Sequence, residues 1–270
     1  MGLTRQQVGV QAHCLRRELA ADFVGTLRRL RALEFDDIEL CHFPGFAGSP
    51  WGDFGALAAV PPAEIRAMLL GAGLSCAAVH VRYPQLLPDR IAATVRWTLD
   101  VGSATIVLAS LPLTTRDSLA NWRDAFESLN RLGAELAAVG CRFAYHTQND
   151  LWQTIDGRLL ADELLRCIDP SRCLLELDPS GALLHGVDWR GVVRPRAGMF
   201  FAMHLRDGAA STADVAWAPA VPLGDGIEDW REALQTAAAV GIEHYFLEME
   251  VAPGCDVIAA LQKSLDYLRV

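Results

Sequence analysis

Four side chains that commonly bind metal ions lie near the ends of consecutive apolar, β-rich runs of this chain: His146, Asp178, His204 and Glu248. Two imidazoles and two carboxylates form a mixed nitrogen and oxygen set that suits Mn²⁺, Mg²⁺, Co²⁺ or Zn²⁺. Such a set leaves positions on a five- or six-coordinate ion where neighbouring substrate oxygens can bind. The ion would polarise a carbonyl and lower the pKa of the adjacent C–H.

Each of these residues also has an ordinary structural explanation when it is taken singly. A histidine at a strand end is commonly a hydrogen-bonded structural residue. Asp178 can cap a following turn, and Glu248 can pair with an arginine. Their occurrence in four consecutive runs favours the metal-site hypothesis over four separate coincidences.

Groups able to transfer protons occur at similar positions. We predict Glu248 as the catalytic base, with His80, His146 or Glu250 as its partner. Five of the seven histidines lie at or just past a predicted strand end, and His13 ends the first run.

The elements that must position these side chains are eight short runs separated by helical patterns. Most of the runs are continuously hydrophobic rather than alternating, which is typical of parallel strands buried on both faces. They are Gln7–His13, Asp37–Cys41, Ser75–Val81, Ala104–Ala109, Cys141–His146, Arg172–Asp178, Phe200–Leu205 and His244–Glu248.

Helical segments with recognisable ends lie between several of these runs. The pattern predicts helices over Leu19–Leu33, Ala63–Leu70, Asp117–Val139, Asp229–Val240 and Asp256–Leu268.

Eight strand–helix units without a linker or a change of composition predict an α/β protein, a single (β/α)8 TIM barrel domain over residues 1–270. The main competitor is a doubly wound open sheet, which usually has a glycine-rich turn after its first strand. His13-Cys14-Leu15-Arg16 is no such turn.

Composition narrows the function. The net charge of −9 and the absence of a basic stripe argue against nucleic acid as a partner. No apolar stretch approaches the roughly 20 residues that span a bilayer, and the N-terminus lacks a signal-peptide pattern, so we expect a cytoplasmic protein without membrane contact. Lys263 is the only lysine and lies in the last helical segment, which argues against a Schiff-base aldolase. The seven scattered cysteines predict reduced thiols.

Short segments in order along nearly the whole chain resemble the sugar phosphate isomerase/epimerase superfamily. These are the xylose isomerase-like TIM barrels, related to the AP endonuclease family 2 group, which include tagatose and psicose 3-epimerases and inosose dehydratase. The segments are Gly9-Val10-Gln11, Asp37-Ile38-Glu39-Leu40, Val79-His80-Val81, Phe143-Ala144-Tyr145-His146, Leu175-Glu176-Leu177-Asp178, Met203-His204-Leu205-Arg206-Asp207, Gly224-Asp225-Gly226-Ile227 and Tyr245-Phe246-Leu247-Glu248.

The resemblance implies a metal held by residues of the fifth to eighth strands, which correspond to His146, Asp178, His204 and Glu248. In the ketose 3-epimerases, the glutamates of the fifth and eighth strands also exchange protons on opposite faces of the substrate. This chain has His146 in place of the first glutamate, so that symmetrical mechanism is not directly available.

Other positions also depart from the family pattern. Gln148 replaces a histidine, Arg206 replaces the usual lysine, and Gly181 follows Asp178 where side chains often contact substrate.

Substrate contacts are expected from polar and aromatic residues near the strand ends. Aromatic faces stack on sugar C–H surfaces, although packing of loops explains the tryptophans Trp51, Trp152, Trp189 and Trp217 equally well. Arginines can bind a carboxylate or phosphate, but a surface position is the simpler explanation of any one of Arg16, Arg82 and Arg206. The predicted substrate-binding residues are His13, Gln148, Arg206, Trp51 and Trp152.

The sequence therefore predicts a metal-dependent isomerase or epimerase of a keto-sugar or related polyol, with Mn²⁺ favoured as the ion. The main alternative is a lyase that dehydrates an inosose-like or dehydroshikimate-like ring. A barrel that binds a ligand without catalysis is the third. The expected partner is a small polyhydroxylated molecule, and we expect a homodimer or homotetramer.

Overall fold

Eight parallel strands close into a barrel in the computed structural model of this chain, which describes residues 8–49, 53–112, 118–147, 149–208, 220–250, 252 and 254–269. Each strand pairs with the strands before and after it in the chain, and the first pairs with the last. The predicted fold, a single-domain (β/α)8 barrel, is confirmed. The strands are β1 Val8–Gln11, β2 Asp37–Cys41, β3 Ser75–Val81, β4 Thr105–Leu108, β5 Arg142–His146, β6 Leu174–Leu177, β7 Phe200–Leu205 and β8 Tyr245–Leu247.

Three predicted strands, β2, β3 and β7, have the predicted bounds, and the other five are shorter. The shortening moves three functional candidates out of the strands that were predicted to contain them. β1 ends at Gln11, so His13 lies in the 3₁₀ turn Ala12–Leu15. Asp178 and Glu248 each follow the last residue of their strand directly. All three therefore lie at the carboxyl-terminal mouth of the barrel.

The main helices cover the outside of the barrel. They are α1 Phe23–Ala32, α2 Pro62–Ala72, α3 Ile91–Asp100, α4 Leu119–Ala138, α5 Leu160–Cys167, α6 Trp189–Val193, α7 Trp230–Ala239 and α8 Val257–Leu268. The sequence patterns had not identified α3, α5 and α6. The predicted helix Leu19–Leu33 is broken at Asp22, which ends Arg16–Ala21 and caps α1 by accepting from the Gly25 amide.

Apolar side chains fill the lower part of the barrel interior. Ala78, Val107 and Ala144 are fully buried there and pack against Leu174 and Phe201. Successive inward-facing residues of a strand are two positions apart. The next inward residues toward the mouth therefore include the polar residues His80, His146 and Glu176, which follow Ala78, Ala144 and Leu174. This alternation places a polar layer directly above an apolar one.

The loop before α7 folds around the buried carboxylate of Asp207. That carboxylate accepts hydrogen bonds from the backbone amides of Gly208, Gly224, Gly226 and Glu228 at 3.0–3.3 Å. A Cβ on Gly226 would lie 2.0 Å from Asp207 Oδ1, so the loop can pass this close only with glycine there. The segments Arg206-Asp207 and Gly224-Asp225-Gly226 are therefore parts of one packing unit.

We expect Asp207→Ala to lower the free energy of unfolding by roughly 2–4 kcal/mol, because it leaves four backbone amides, of which that of Glu228 is buried, without their acceptor. Urea unfolding followed by circular dichroism measures this change. Asp225→Ala is the control, since the partner of the exposed Asp225 among the described residues is the exposed Lys263, and its loss should cost less than about 1 kcal/mol. Equal, small losses in both variants would contradict a structural role for Asp207.

Within the described ranges, no helix has both the length and the apolar character that crossing a membrane requires. The described cysteines are all unpaired, in agreement with the predicted reduced thiols.

Candidate metal centre

Three donors meet at the mouth of the barrel, and we call Asp178, His204 and Glu248 the rim triad. One ligand atom from each lies within 4.8 Å of the others. Their side chains come from the ends of β6, β7 and β8, three neighbouring strands, which explains why residues so distant in sequence meet. All three residues are buried, at 3%, 1% and 8% exposure, respectively.

Local hydrogen bonds orient the Asp178 carboxylate. Its Oδ1 accepts from the Ser180 amide at 2.9 Å, while its own amide donates to Thr147 Oγ1 at 2.8 Å. Oδ2 faces His146, whose Nε2 is 3.8 Å away. One carboxylate oxygen is thus engaged by the chain, and the other is directed toward the metal-ligand candidates.

The imidazole of His204 lies between two groups of carboxylates. Its Nδ1 is 3.1 Å from Glu248 Oε2 at the rim. Its Nε2 faces the barrel interior, 3.0 Å from Glu39 Oε2 and 3.2 Å from Glu176 Oε2. Burial opposes protonation, but Glu176, Glu248 and Glu39 raise the pKa of His204 well above its usual value.

A second cluster lies deeper in the barrel. His80 Nε2 is 2.6 Å from Glu176 Oε2 and 3.4 Å from Glu39 Oε2. His146 Nδ1 is 3.0 Å from the same Glu176 oxygen. We call Glu39, His80, His146 and Glu176 the deep cluster. Both glutamates are 0% exposed, and both histidines are 6% exposed.

The deep cluster concentrates negative charge away from water. Burial and the adjacent Glu176 carboxylate raise the pKa of Glu39 to about 7. Burial also opposes ionisation of Glu176, but His204, His80 and His146 lower its pKa well below the usual range. Gln11 donates to Glu39 Oε2 at 2.8 Å.

The predicted four-residue ligand set is thus divided between the two clusters. Asp178, His204 and Glu248 converge at the rim. His146 lies beside them, but its shorter contact is the one to Glu176. A role for these four residues in metal binding stays a prediction.

Charged groups surround the rim triad on its β1 and β8 side. Glu250 contacts His13 at 3.1 Å, Arg16 at 3.3 Å and Arg206 at 3.4 Å, and Arg206 is also 3.9 Å from Glu248. Burial opposes ionisation of Glu250, but the hydrogen bond from His13 and the charge of Arg206 lower its pKa. Burial likewise opposes protonation of His13, and Glu250 raises its pKa. The contact between His13 and Glu250 therefore favours a protonated imidazole beside an ionised carboxylate at the mouth.

Glu248 stays ionised in this environment. Burial would raise its pKa, but the hydrogen bond with His204 and the charges of His204 and Arg206 lower the pKa of Glu248 below its usual range. An ionised carboxylate at the mouth can accept a proton or bind a cation.

The aromatic predictions have mixed outcomes. Trp152 is only 2% exposed and packs closely on Gly181, where a Cβ would approach Trp152 Cδ1 to 2.6 Å. That contact explains why this chain has glycine at position 181, three residues after Asp178. Trp189 is fully buried and donates to Glu228, so packing rather than an open rim position accounts for it. Substrate contact by Trp152 stays a prediction, and Trp51, Trp217 and Gln148 lie outside the described residues.

Two other polar residues, which directly follow β2 and β3, have structural roles. His42 caps Phe43–Phe46 by accepting from the Gly45 amide at 3.1 Å, and burial lowers its pKa to about 4. Arg82 donates to the Gly45 carbonyl at 3.3 Å.

The ligand prediction had left out Glu39 and Glu176. A signal for Glu176 was present, because Glu176 and Asp178 are two positions apart in an otherwise apolar run and must face the same side.

Comparison with known proteins relates this architecture to solved structures. No protein family model and no curated protein matches the chain. A sugar phosphate isomerase/epimerase from Parabacteroides distasonis ATCC 8503 superimposes with a TM-score of 0.79 at 19% identity, over 98% of this chain and 93% of that one. The chain has the fold of the sugar phosphate isomerase/epimerase barrels. The fold that the sequence resemblance implied is thereby confirmed.

Two further structures share this fold. The probable 3-DHS dehydratase AsbF, involved in petrobactin synthesis in Bacillus anthracis, has a TM-score of 0.70 at 13% identity, over 98% of this chain and 99% of that one. The IolI protein with a bound zinc atom has a TM-score of 0.68 at 13% identity, over 98% of this chain and 96% of that one.

Proposed function

We propose that this barrel is a metal-dependent isomerase or epimerase that moves a proton next to the carbonyl of a keto-sugar or related polyol. The observation that carries the proposal is the rim triad, in which Asp178, His204 and Glu248 bring one ligand atom each to within 4.8 Å of the others. The donor set fits a divalent ion, because it combines two carboxylates with an imidazole. The zinc-bound IolI structure with the same fold supports a metal in such a barrel.

Three protein ligands leave room for substrate oxygens on a five- or six-coordinate ion, and Mn²⁺ suits this oxygen-rich set. When bound, the ion supplies Lewis-acid chemistry that polarises a carbonyl and acidifies the neighbouring C–H. The chain supplies the base, and Glu248 is the candidate because its carboxylate is ionised and lies at the mouth. Arg206, 3.9 Å from Glu248, can hold an anionic oxygen of the substrate.

The arrangement of the proton-transfer groups favours isomerisation within this class. His13, Glu248 and Glu250 each offer an atom within 4.8 Å of the others, so they lie on one side of the mouth. Groups on one side can move a proton between adjacent carbons on one face of the substrate. Inversion of a stereocentre requires a second group on the opposite face, for which His146 remains the predicted partner.

A lyase is the second candidate, and the His13–Glu250 pair favours it. Glu250 raises the pKa of His13, so a protonated imidazole can stand beside the Glu248 base. Such a pair can remove a C–H proton and protonate a leaving hydroxyl. The shared fold with a probable dehydratase is in line with this alternative.

A screen in deuterated water tests both candidates. We expect the Mn²⁺-loaded protein to convert one member of a panel of ketoses and cyclic keto-polyols, with deuterium entering next to the carbonyl. Chelation of the metal should abolish the reaction, and added Mn²⁺ should restore it. A product of unchanged composition identifies an isomerase or epimerase, whereas loss of one water identifies a lyase. Bound metal without exchange or turnover on the whole panel would favour a non-catalytic binding barrel.

A further inference from the structure

The deep cluster contains two fully buried carboxylates, and its hydrogen bonds leave one oxygen of each without a partner among the described residues. Glu39 and Glu176 are 0% exposed and adjacent to one another through His80 and His204. The hydrogen bonds and ion pairs of both carboxylates are made through Oε2. The Oε1 atoms of both are buried and lack a hydrogen-bond partner among the described residues. An unpartnered carboxylate oxygen away from water is costly unless a cation compensates it.

The carboxylates of the rim triad and the deep cluster also favour a cation beside Glu39 and Glu176. Four carboxylates, those of Glu39, Glu176, Asp178 and Glu248, lie between 0% and 8% exposed. Among the described residues, Arg206 is the arginine that contacts this group, and it also pairs with Glu250. A divalent ion at the rim would compensate Asp178 and Glu248, and a second cation beside Glu39 and Glu176 would compensate those two buried carboxylates.

His204 can reach both the rim donors and those of His80, His146 and Glu176. A neutral imidazole has one nitrogen lone pair, so each histidine can bind one ion. His204 turns Nδ1 to the rim, and its Nε2 can donate to Glu39, a common support for a metal-bound histidine. His146 turns Nδ1 to Glu176. His80 has Nε2 within reach of both deep glutamates.

We propose that Glu39, His80, His146 and Glu176 form a second metal site, a closed zinc site beneath the rim ion. His146 would then bind the deep ion and could not serve as the proton-transfer partner of Glu248, and the rim ion would be held by Asp178, His204 and Glu248. Two imidazoles and two carboxylates complete a tetrahedral shell, as in structural zinc sites. Bonds of about 2.0–2.2 Å separate neighbouring ligand atoms by roughly 3.3–3.6 Å. The donor pairs His80–Glu176, His146–Glu176 and His80–Glu39 are 2.6, 3.0 and 3.4 Å apart, so small side-chain shifts accommodate the ion.

Metal stoichiometry tests the proposal independently of catalysis. Chelator-stripped protein is titrated with Zn²⁺, which binds nitrogen and oxygen sites more tightly than Mn²⁺ and can therefore fill both sites, then desalted and analysed for metal and protein. We expect two ions per chain in the wild type and one in Glu176→Gln. His80→Gln should also bind one ion and serves as the second deep-site variant. Circular dichroism verifies that each variant is folded.

Glu163→Gln is the matched control. Glu163 is also a buried glutamate, but it pairs with Arg123 and Arg166 on the outer helices, away from the barrel interior. This variant should keep both ions even if it is less stable.

The possible outcomes separate this proposal from the proposed function. A wild type that binds one ion, retained in Glu176→Gln and lost in Asp178→Ala, would overturn the deep site and leave the rim site standing. One ion lost in Glu176→Gln but retained in Asp178→Ala would support the deep site and contradict the rim site. A wild type without metal contradicts both. Two ions retained in folded Glu176→Gln and His80→Gln would show that these residues are not ligands.

Discussion

Replacing Glu248 by glutamine is expected to lower kcat by roughly 10²–10⁴-fold, the usual contribution of a positioned general base. The amide has nearly the same shape as the carboxylate and can still accept a hydrogen bond, but it cannot accept the substrate proton. The loss should appear mainly in kcat, because Arg206 and the remaining metal ligands still bind the substrate. Because Glu248 also belongs to the rim triad, weaker metal binding adds to the loss, so the assay needs saturating Mn²⁺.

The folded barrel should tolerate this substitution. Glu248 directly follows β8, and its side chain contacts His204 at 3.1 Å and Arg206 at 3.9 Å. Its backbone amide donates to the Leu205 carbonyl of β7 at 3.2 Å, and glutamine keeps this bond. Thermal unfolding followed by circular dichroism, alongside initial rates on the substrate found in the deuterium screen, measures both properties. Glu228→Gln is the control: Glu228 is buried against Trp189 and Arg190, so its loss should reduce stability and leave kcat nearly unchanged. An insoluble Glu248→Gln protein would indicate a structural role for Glu248 instead.

The barrel could be predicted from the sequence because its strands depend on local composition. Segments such as Ala104–Ala109 are apolar except for Thr105, as is typical of strands covered on both faces, and the structure forms β4 within that run. Strand ends were less predictable. Asp178 and Glu248 are polar residues at the edge of apolar runs, and pairing with neighbouring strands decides where the ladder stops. The side chains still lie at the mouth, because a shift of one residue at a strand end moves them only by about 3 Å.

The helices that the patterns missed have weaker end signals. α3 begins after Arg90, and α5 begins after Leu159, and neither residue provides a side-chain hydrogen bond to cap its helix. By contrast, Asp229 and Asp256 cap α7 and α8, and the sequence located both helices to within a residue.

The division of the site into two clusters could not be predicted from the sequence. Strand alternation indicates that Glu176 and Asp178 face the same side, but depth within the barrel depends on the stagger between neighbouring strands. His146 shows the difference most clearly. By sequence it belongs with Asp178, whereas in the folded chain its nearer nitrogen faces Glu176 from the adjoining strand. Which nitrogen of an imidazole faces which carboxylate is a property of side-chain packing in three dimensions.

Removing two rim ligands together, in an Asp178→Ala, His204→Ala variant, is expected to abolish the stabilisation that Mn²⁺ gives the wild type. A ligand present at a hundred times its dissociation constant stabilises the folded state by about 2.7 kcal/mol, which raises Tm by several degrees in a protein of this size. The variant retains only Glu248 of the rim triad. It should therefore show no Mn²⁺-dependent change in Tm and should bind one ion fewer than the wild type by elemental analysis.

A paired surface variant provides the control for this measurement. His185→Ala, Asp188→Ala removes the same two residue types from exposed positions after β6 and should keep the full Mn²⁺-dependent shift. Because the deep cluster shares no ligand with the rim triad, the rim variant should still bind Zn²⁺ there. A wild-type Tm that does not respond to Mn²⁺, together with equal metal contents in both variants, would mean that Asp178 and His204 hold no ion. The acid and base groups at the mouth would then have to act without a metal ion, and isomerisation next to a metal-polarised carbonyl would have to be abandoned.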